Sequence, residues 1–413
     1  MTFNATRWDV GTEFEVEVGP IAHGGHCVAR YEGRVVFVRH TLPGERVRVR
    51  ITEDTGGSFC RADAVRIIEQ APDRVQAPCP YAKPGGCGGC DFQHVDPSTQ
   101  REFKRAIITE QLARVGGFSS DEIDALGIEV QELPGGSLGW RTRTRFLADD
   151  DGVLGMRKHR SHDIVPVDRC AIAVDAINDA DELHMRWEPE TEVSFVAGSD
   201  DVAVLAEIPG GKRPTVHRIS GPERLNEQAA EYHWQVRAAG FWQVHPAAAE
   251  TLVREVLAAI NPAPGQRILD LYSGAGLFSL PLADAVGPAG EIISVESERA
   301  AVADARRHVR GKKWVRAEVG QVHGFLNSLS VKKVDAVVLD PPRAGAGKMV
   351  VKQIAKLKPQ LVAYVSCDPA TLARDLKQFR ALGYVLTDLL AFDAFPMTHH
   401  VECLATLSRR DSE

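Results

Sequence analysis

Near the N-terminus, apolar and charged residues alternate strictly. Phe14, Val16 and Val18 interleave with Glu13, Glu15 and Glu17, and Val47, Val49 and Ile51 interleave with Arg46, Arg48 and Arg50. A period of two is the mark of a strand with one buried face. Gly24-Gly25, Leu42-Pro43-Gly44-Glu45 and Gly56-Gly57 cut the stretch into short strands. Residues 1–71 are therefore expected to form a small OB-like barrel, a common platform for oligonucleotides. A structural barrel with a solvated arginine face fits the same residues equally well.

A Pro-marked linker follows, and the period then changes. Phe103, Ile107, Ile108, Leu112 and Val115 fall on one stripe between Pro97 and the stop at Gly116-Gly117, which predicts a helix over 97–115. Residues 140–237 mix short alternating stretches with acidic and Gly/Pro turns, and are expected to be mostly β. The central domain is placed at 72–236, with its helix packing on the domain that follows. From about Ala238, apolar strands alternate with helical stretches, the pattern of a parallel α/β sheet. Residues 237–413 are thus expected to be a doubly wound α/β domain.

The chain has 413 residues, enough for several domains with real cores, and its apolar and charged content is ordinary for a globular protein. No apolar run approaches a membrane span, and the first residues lack the plan of a signal peptide. Eight cysteines, three of them packed among glycines, suit a reducing cytoplasm better than a disulfide scaffold. A net charge of −7 neither predicts nor excludes a nucleic-acid partner, since placement of the basic residues decides that.

The α/β region opens with a buried strand, Arg267-Ile-Leu-Asp270-Leu-Tyr272, then Ser273-Gly274-Ala275-Gly276 and a helix. Such glycines let backbone approach a ligand in front of a helix N-terminus. A second strand ends in Glu296, at the distance usual for a carboxylate that binds ribose hydroxyls. Ser279 stands where a dinucleotide fingerprint needs its third glycine, so the loop better matches the acid-x-x-x-Gly-x-Gly loop of S-adenosylmethionine-dependent methyltransferases. A third strand, 334–339, runs into Asp340-Pro341-Pro342-Arg343, whose prolines stiffen the chain where a base would lie. The next apolar run ends in Ser366-Cys367-Asp368-Pro369. A cysteine in an α/β core is commonly structural, but open α/β sheets bind ligands just past their strand ends, which favours Cys367 as a nucleophile. Thiolate attack on carbon 6 of a pyrimidine activates carbon 5 for methylation, and a base must later remove the carbon-5 proton. Glu402 is the candidate base, with Asp368 as a rival. Upstream, Cys79, Cys87 and Cys90 lie among Gly and Pro as metal ligands do.

Taken in order, Cys79…Cys87-Gly-Gly-Cys90, Asp270-Leu-Tyr-Ser-Gly-Ala-Gly276, Asp340-Pro-Pro-Arg343, Ser366-Cys-Asp-Pro369…Thr371…Arg374-Asp375 and Phe395-Pro…Thr398-His-His-Val-Glu402 resemble the RNA 5-methyluridine methyltransferase family acting on tRNA or 23S ribosomal RNA. The similarity covers nearly the whole chain, and the N-terminal barrel resembles that family's RNA-binding TRAM domain. The resemblance implies Cys367 as nucleophile and Glu402 as proton-abstracting base. It implies Gln243, Asp270, Tyr272, Gly274, Gly276 and Glu296 as cofactor contacts, and Asp340 between cofactor and uracil. It also implies Cys79, Cys87, Cys90 and the distant Cys170 as ligands of a 4Fe–4S cluster that serves structure or RNA positioning. By chemistry alone four thiolates equally hold zinc. This chain departs from the family in a longer spacer between Cys79 and Cys87, in His245 and in Leu277.

Arg141, Arg143 and Arg145 beside Trp140, then Arg157-Lys158-His159-Arg160, are the expected RNA contacts, with the first three on one strand face. The basic run 306–313 is an even choice between RNA contact and solvated helix. The chain is expected to act as a cytoplasmic monomer on RNA, without a membrane partner. Two alternatives remain in play: a non-catalytic iron–sulfur RNA-binding or assembly factor, and a methylase of exocyclic amino groups, which would need no thiol.

Overall fold

A computed structural model describes residues 7–209, 215–331 and 333–410. The N-terminal residues 1–6, part of the stretch read above for a signal peptide, lie outside them. Strands β1 (Glu13–Ala22), β2 (His26–Tyr31), β3 (Arg34–Arg39), β4 (Arg46–Glu53) and β5 (Phe59–Glu69) close into a barrel in the order β1-β2-β3-β5-β4. Val16, Val18, Val47, Val49 and Ile51 fill its interior. The two charged rows face each other in register, Glu13 opposite Arg50, Glu15 opposite Arg48 and Glu17 opposite Arg46. Arg48 and Arg50 pair with Glu15 and Glu13, so this arginine row is largely neutralised on the barrel itself.

Helix α1 (Pro97–Gln111) is capped by Asp96, which accepts from the amide of Ser98 behind Pro97 at the first turn. It runs on as a wider turn over 112–116 and stops at Gly117 in the left-handed region. The predicted stripe serves two cores. Ile107 and Phe103 pack into the barrel, whereas Ile108, Leu112 and Val115 pack into the large sheet. After α2 (Ser120–Asp124), β6 (Val130–Glu132) adds a short parallel strand to the far edge of that sheet.

The mostly β reading of the middle region holds. Strands β7 (Arg143–Ala148), β8 (Leu154–Arg157), β9 (Ile164–Pro166), β10 (Glu192–Ala197), β11 (Val202–Ile208) and β12 (Thr215–Ser220) form one sheet, with helix α3 (Asp175–Asn178) between β9 and β10. A separate hairpin, β13 (Arg224–Ala229) and β14 (Tyr232–Arg237), leads into the α/β unit. There the order is α4 (Ala248–Ile260), β15 (Arg267–Leu271), α5 (Ser279–Val286), β16 (Glu291–Glu296), α6 (Arg299–His308), β17 (Val315–Val319), α7 (Val322–Ser328), β18 (Ala336–Leu339), α8 (Gly347–Lys356), β19 (Leu361–Ser366), α9 (Pro369–Ala381), β20 (Tyr384–Asp393) and β21 (Glu402–Arg409). The eight-stranded sheet runs β17-β16-β15-β18-β19-β21-β20-β6, parallel from β17 to β19, with β21 antiparallel to β19. Among the described residues no helix is long and apolar enough to cross a membrane.

One buried ion pair locks α1 to the eight-stranded sheet. Lys104, fully buried, donates to Asp393 at the end of β20 at 2.5 Å and to the carbonyl of Phe395 at 3.0 Å. Lys104→Ala leaves Asp393 buried without its cation and is expected to cost about 3–5 kcal/mol. Urea unfolding of the full chain measures it.

Candidate active site

Parallel strands end side by side, and their register decides what meets at the edge. Leu271 of β15 pairs with Leu339 of β18, which pairs with Tyr364 of β19. Tyr272 and Asp340 follow directly, and Cys367 follows the end of β19. On the other side, Ser366 pairs with Cys403 of antiparallel β21, so the next step sets Cys367 across from Glu402. The two residues singled out for covalent chemistry therefore meet at one end of the sheet, although a whole helix and hairpin separate them in sequence.

This edge holds more acid than base. Burial pushes the Cys367 thiol up to about 12, with Glu402 and the carboxylates of Asp340 and Asp368 adding to the shift and Arg343 opposing it. Glu402 is raised well above the usual carboxylate range by burial and then by Asp340, and Arg343 again pulls it down. Asp340 is raised by burial and by Asp270. Oε1 of Glu402 is buried with no hydrogen-bond partner in the described protein. Arg343 is thus the cation that favours ionisation of Cys367 against burial and the surrounding carboxylates. Arg343 itself donates to Nε2 of His400 at 3.0 Å.

The loop after Asp340 is pinned from α9. Thr371 Oγ1 donates to the carbonyl of Arg343 and Arg374 to that of Ala344, while Asp375 accepts from the amide of Gly347 and from the Tyr364 hydroxyl. The Thr371, Arg374 and Asp375 recognised in sequence thus hold the Asp340-Pro341-Pro342-Arg343 segment in place.

The glycine loop is held from three sides. Glu296 accepts from the amide of Gly274 at 3.3 Å and from that of Glu298 at 2.8 Å. Trp234 Nε1 donates to the carbonyl of Gly276, and His308 Nδ1 to that of Ala275. Gly276 has φ +87°, and a Cβ there would lie 3.2 Å from that of Ala305 on α6, so a side chain at this position is strained twice over. Ser279, the residue that breaks the dinucleotide fingerprint, donates from Oγ to Asp270 at 2.5 Å. Asp270 is pushed up to about 7 by burial despite that bond, and its Oδ1 is buried with no protein partner. An acceptor is thereby left over for a donor on a bound ligand. Gln243 is buried close in sequence to His245, which stacks on Trp140 with ring centroids 5.8 Å apart.

Comparison with known proteins agrees with this geometry. Residues 7–65 match the TRAM domain, residues 247–360 the methyltransferase small domain, and residues 321–410 the tRNA (uracil-5-)-methyltransferase family. A protein named as an uncharacterized RNA methyltransferase from Streptomyces avermitilis is 46% identical, over 96% of this chain and 98% of its own. The chain belongs to this RNA methyltransferase family. A similarly named Bifidobacterium longum protein is 37% identical, over 96% of both chains. Among solved structures, the Pyrococcus abyssi tRNA (uracil-54, C5)-methyltransferase in complex with S-adenosyl-L-homocysteine superposes with a TM-score of 0.70 at 25% identity, covering 95% of this chain and all of that one.

The basic residues of this methyltransferase divide. Arg141, Arg145, Arg157, Lys158 and Arg160 line a cavity of about 430 Å³ beside Gly88 of the cysteine motif. Arg145 and Lys158 have carboxylate partners there, Glu192 and Asp163, whereas Arg141 and Arg157 have none among the described residues. Arg143 corrects the expectation. It is mostly buried, pairs with Glu227 of β13 at 3.1 Å and donates to the carbonyl of Gly240, so the hairpin covers Arg143 while Arg145, on the same strand face, stays exposed. The 306–313 run is also partly taken up internally, since Arg306 donates to the carbonyl of Ala317 and Lys312 pairs with Asp284.

The cysteines converge without closing on a metal. Cys87 feels both Cys170 and Cys79, and Cys90 feels Cys170 and Cys87. Cys90 and Cys170 both pack against Trp140, Ile172 and Met397. Among the described residues, no group of three or more His, Cys, Asp or Glu is placed to hold a metal ion, so the structure by itself does not support the expected cluster. Cys27, Cys60 and Cys403 are buried free thiols.

Three residues at the site gave no signal in sequence. Asp91, next to Cys90, accepts from His399 Nδ1 at 2.6 Å, and Arg39 of the barrel lies 3.6 Å from it. His23 of the barrel reaches Asp368.

Proposed function

We propose that this enzyme methylates carbon 5 of a uridine in RNA, using S-adenosylmethionine, through a covalent bond between Cys367 and carbon 6. The observation that carries this reading is the register that sets a half-buried thiol across from a buried, unpartnered carboxylate at the ligand-binding edge of the sheet. S-adenosylmethionine, when bound, supplies an electrophilic methyl group. Gln243, Asp270, Tyr272, Gly274, Gly276, Glu296 and Asp340 would hold it, and the leftover acceptor on Asp270 fits its cationic end.

The remaining work falls to the chain. Cys367, deprotonated beside Arg343, forms a bond to carbon 6 as the carbon 5–carbon 6 π pair shifts toward carbon 5 and the carbonyl oxygen. Carbon 5 then takes the methyl group as the sulfonium–methyl bond breaks, and the electron pair of that bond leaves with sulfur as S-adenosylhomocysteine. Glu402, as carboxylate, takes the carbon-5 proton, the double bond re-forms, and the carbon–sulfur bond breaks to return the thiolate. Because burial disfavours both ionised forms, substrate arrival must bring Arg343 and the polar edge of the base to bear on them. The target base must leave its stack to reach Cys367, so an unpaired loop is the cheapest substrate.

For the four cysteines we propose a 4Fe–4S cluster. Its support is the packing of Cys90 and Cys170 against Trp140 and the donors aimed at two sulfurs, the Gly89 amide at Cys87 and the Gln93 side chain at Cys90. RNA would lie over the cavity of Arg141, Arg145 and Lys158, next to that motif.

The test is a nucleoside assay. Anaerobically purified protein is incubated with unmodified total RNA and methyl-labelled S-adenosylmethionine, and the digest is resolved by mass spectrometry. Label in 5-methyluridine is expected, with iron and acid-labile sulfide in equal amounts in the same preparation. Label on an amino group, or none despite cofactor binding, would sink the reading.

A further inference from the structure

The turn between β1 and β2 is the part of the barrel that reaches the catalytic edge. His23 Nε2 lies 3.1 Å from Asp368 Oδ2. Two residues on, a Cβ on Gly25 would meet that of His399 at 2.9 Å and that of Asp91 at 3.2 Å, and φ there is +79°. The tip is therefore wedged between the loop that carries Cys367 and the loop that leads into Glu402. Only glycine allows that approach.

Asp368 directly follows Cys367 and does two jobs with its two oxygens. Oδ1 accepts from the amide of Thr371 at 2.8 Å and caps α9, while Oδ2 takes His23. The orientation of the segment bearing the thiol thus depends on a residue of another domain. His23 is 39% exposed, so it sits at the rim of the cleft rather than in a core. It contributes nothing to barrel packing that would explain its presence.

We propose that His23 is a positioning residue for methyl transfer: by hydrogen-bonding Asp368 it orients the Cys367 loop and offsets the carboxylate next to the thiol in the chain. The barrel is then part of the active site as well as a platform for RNA. The inference rests on Cys367 being the nucleophile. Charge supports the geometry. The Asp368 bond raises the His23 imidazole above its usual value, with Glu110 of α1 adding to this against the effect of burial. Asp368 is held down to about 2: burial opposes this, and the His23 and Thr371 hydrogen bonds outweigh it. Arg374 also faces Asp368. Around the thiol stand Glu402, Asp340 and Asp368 as acids and Arg343 as the cation. An ionised Asp368 without its histidine opposes formation of the thiolate more strongly.

The experiment uses the full chain without RNA. Alkylation of Cys367 by iodoacetamide is followed by mass spectrometry of its peptide, from about pH 7 to about pH 10, in wild type, His23→Ala and His23→Gln. His23→Ala is expected to slow alkylation severalfold and to move the curve to higher pH. In 5-methyluridine formation, kcat is expected to fall about tenfold with KM for RNA unchanged. His23→Gln can still donate to Asp368, so it should recover most of kcat. Alkylation identical to wild type, or a rise in KM alone, would overturn the proposal and leave His23 as an RNA contact. The alkylation arm needs no RNA. A wild type that makes no 5-methyluridine would therefore sink the functional reading and still leave the His23 comparison decisive.

Discussion

Cys367→Ala is expected to lower 5-methyluridine formation by at least about a thousandfold while cofactor and RNA binding persist. The size of the effect follows from the substrate. Carbon 5 of uracil is a poor nucleophile, and without a bond at carbon 6 neither Arg343 nor Asp340 can make it a better one. The thiol is half-buried at a strand end and makes no hydrogen bond among the described residues, so its removal should cost about 1 kcal/mol or less. Loss of activity with an unchanged melting temperature would therefore locate the defect in chemistry. Single-turnover assays with labelled S-adenosylmethionine read this directly. Residual activity near the wild-type rate would overturn the covalent mechanism and move the case to amino-group methylation, for which the Asp340-Pro341-Pro342-Arg343 loop suffices.

Much of this site was legible because it is built from strand ends. Short, mostly apolar stretches mark β15, β18 and β19, and whatever follows such a stretch in an open parallel sheet lies at the ligand edge. That logic places Tyr272, Asp340 and Cys367 together from sequence. It cannot place Glu402, which arrives through an antiparallel hairpin whose register is not written in either strand, and there the resemblance to a family carried the expectation. The barrel was legible because one face of each strand is buried. Strand alternation says which side chains share a face but not what covers that face. Arg143 shares a face with Arg145, yet β13 brings Glu227 over one and not the other. Arg46, Arg48 and Arg50 fit an oligonucleotide platform and a solvated face equally well in sequence, and only the register sets three glutamates opposite them. Lys104 and His23 escaped for a related reason. Each looks like a solvated polar residue locally, and only contact between domains gives it a partner, Asp393 in one case and Asp368 in the other.

Glu402→Gln separates methyl transfer from release. The variant keeps the shape of the side chain and loses the base, so attack by Cys367 and methylation of carbon 5 should proceed while removal of the carbon-5 proton fails. Turnover is expected to fall by roughly 10²–10⁴-fold, and a methylated RNA–protein adduct should accumulate, visible as a denaturation-resistant band that depends on Cys367. Normal turnover without adduct would transfer the role of base to Asp368 or Asp340. Stability supplies an independent sign. Burial raises Glu402 in the folded protein, whereas the unfolded chain releases the same proton near the ordinary carboxylate value of about 4.3. Folding is therefore opposed as pH rises from that value toward the raised one. Glu402→Gln removes this burden, and its melting temperature at pH 8 should lie above that of the wild type, with a smaller difference near pH 5. An enzyme that becomes more stable as it stalls on its own adduct is what a buried carboxylate kept for catalysis predicts.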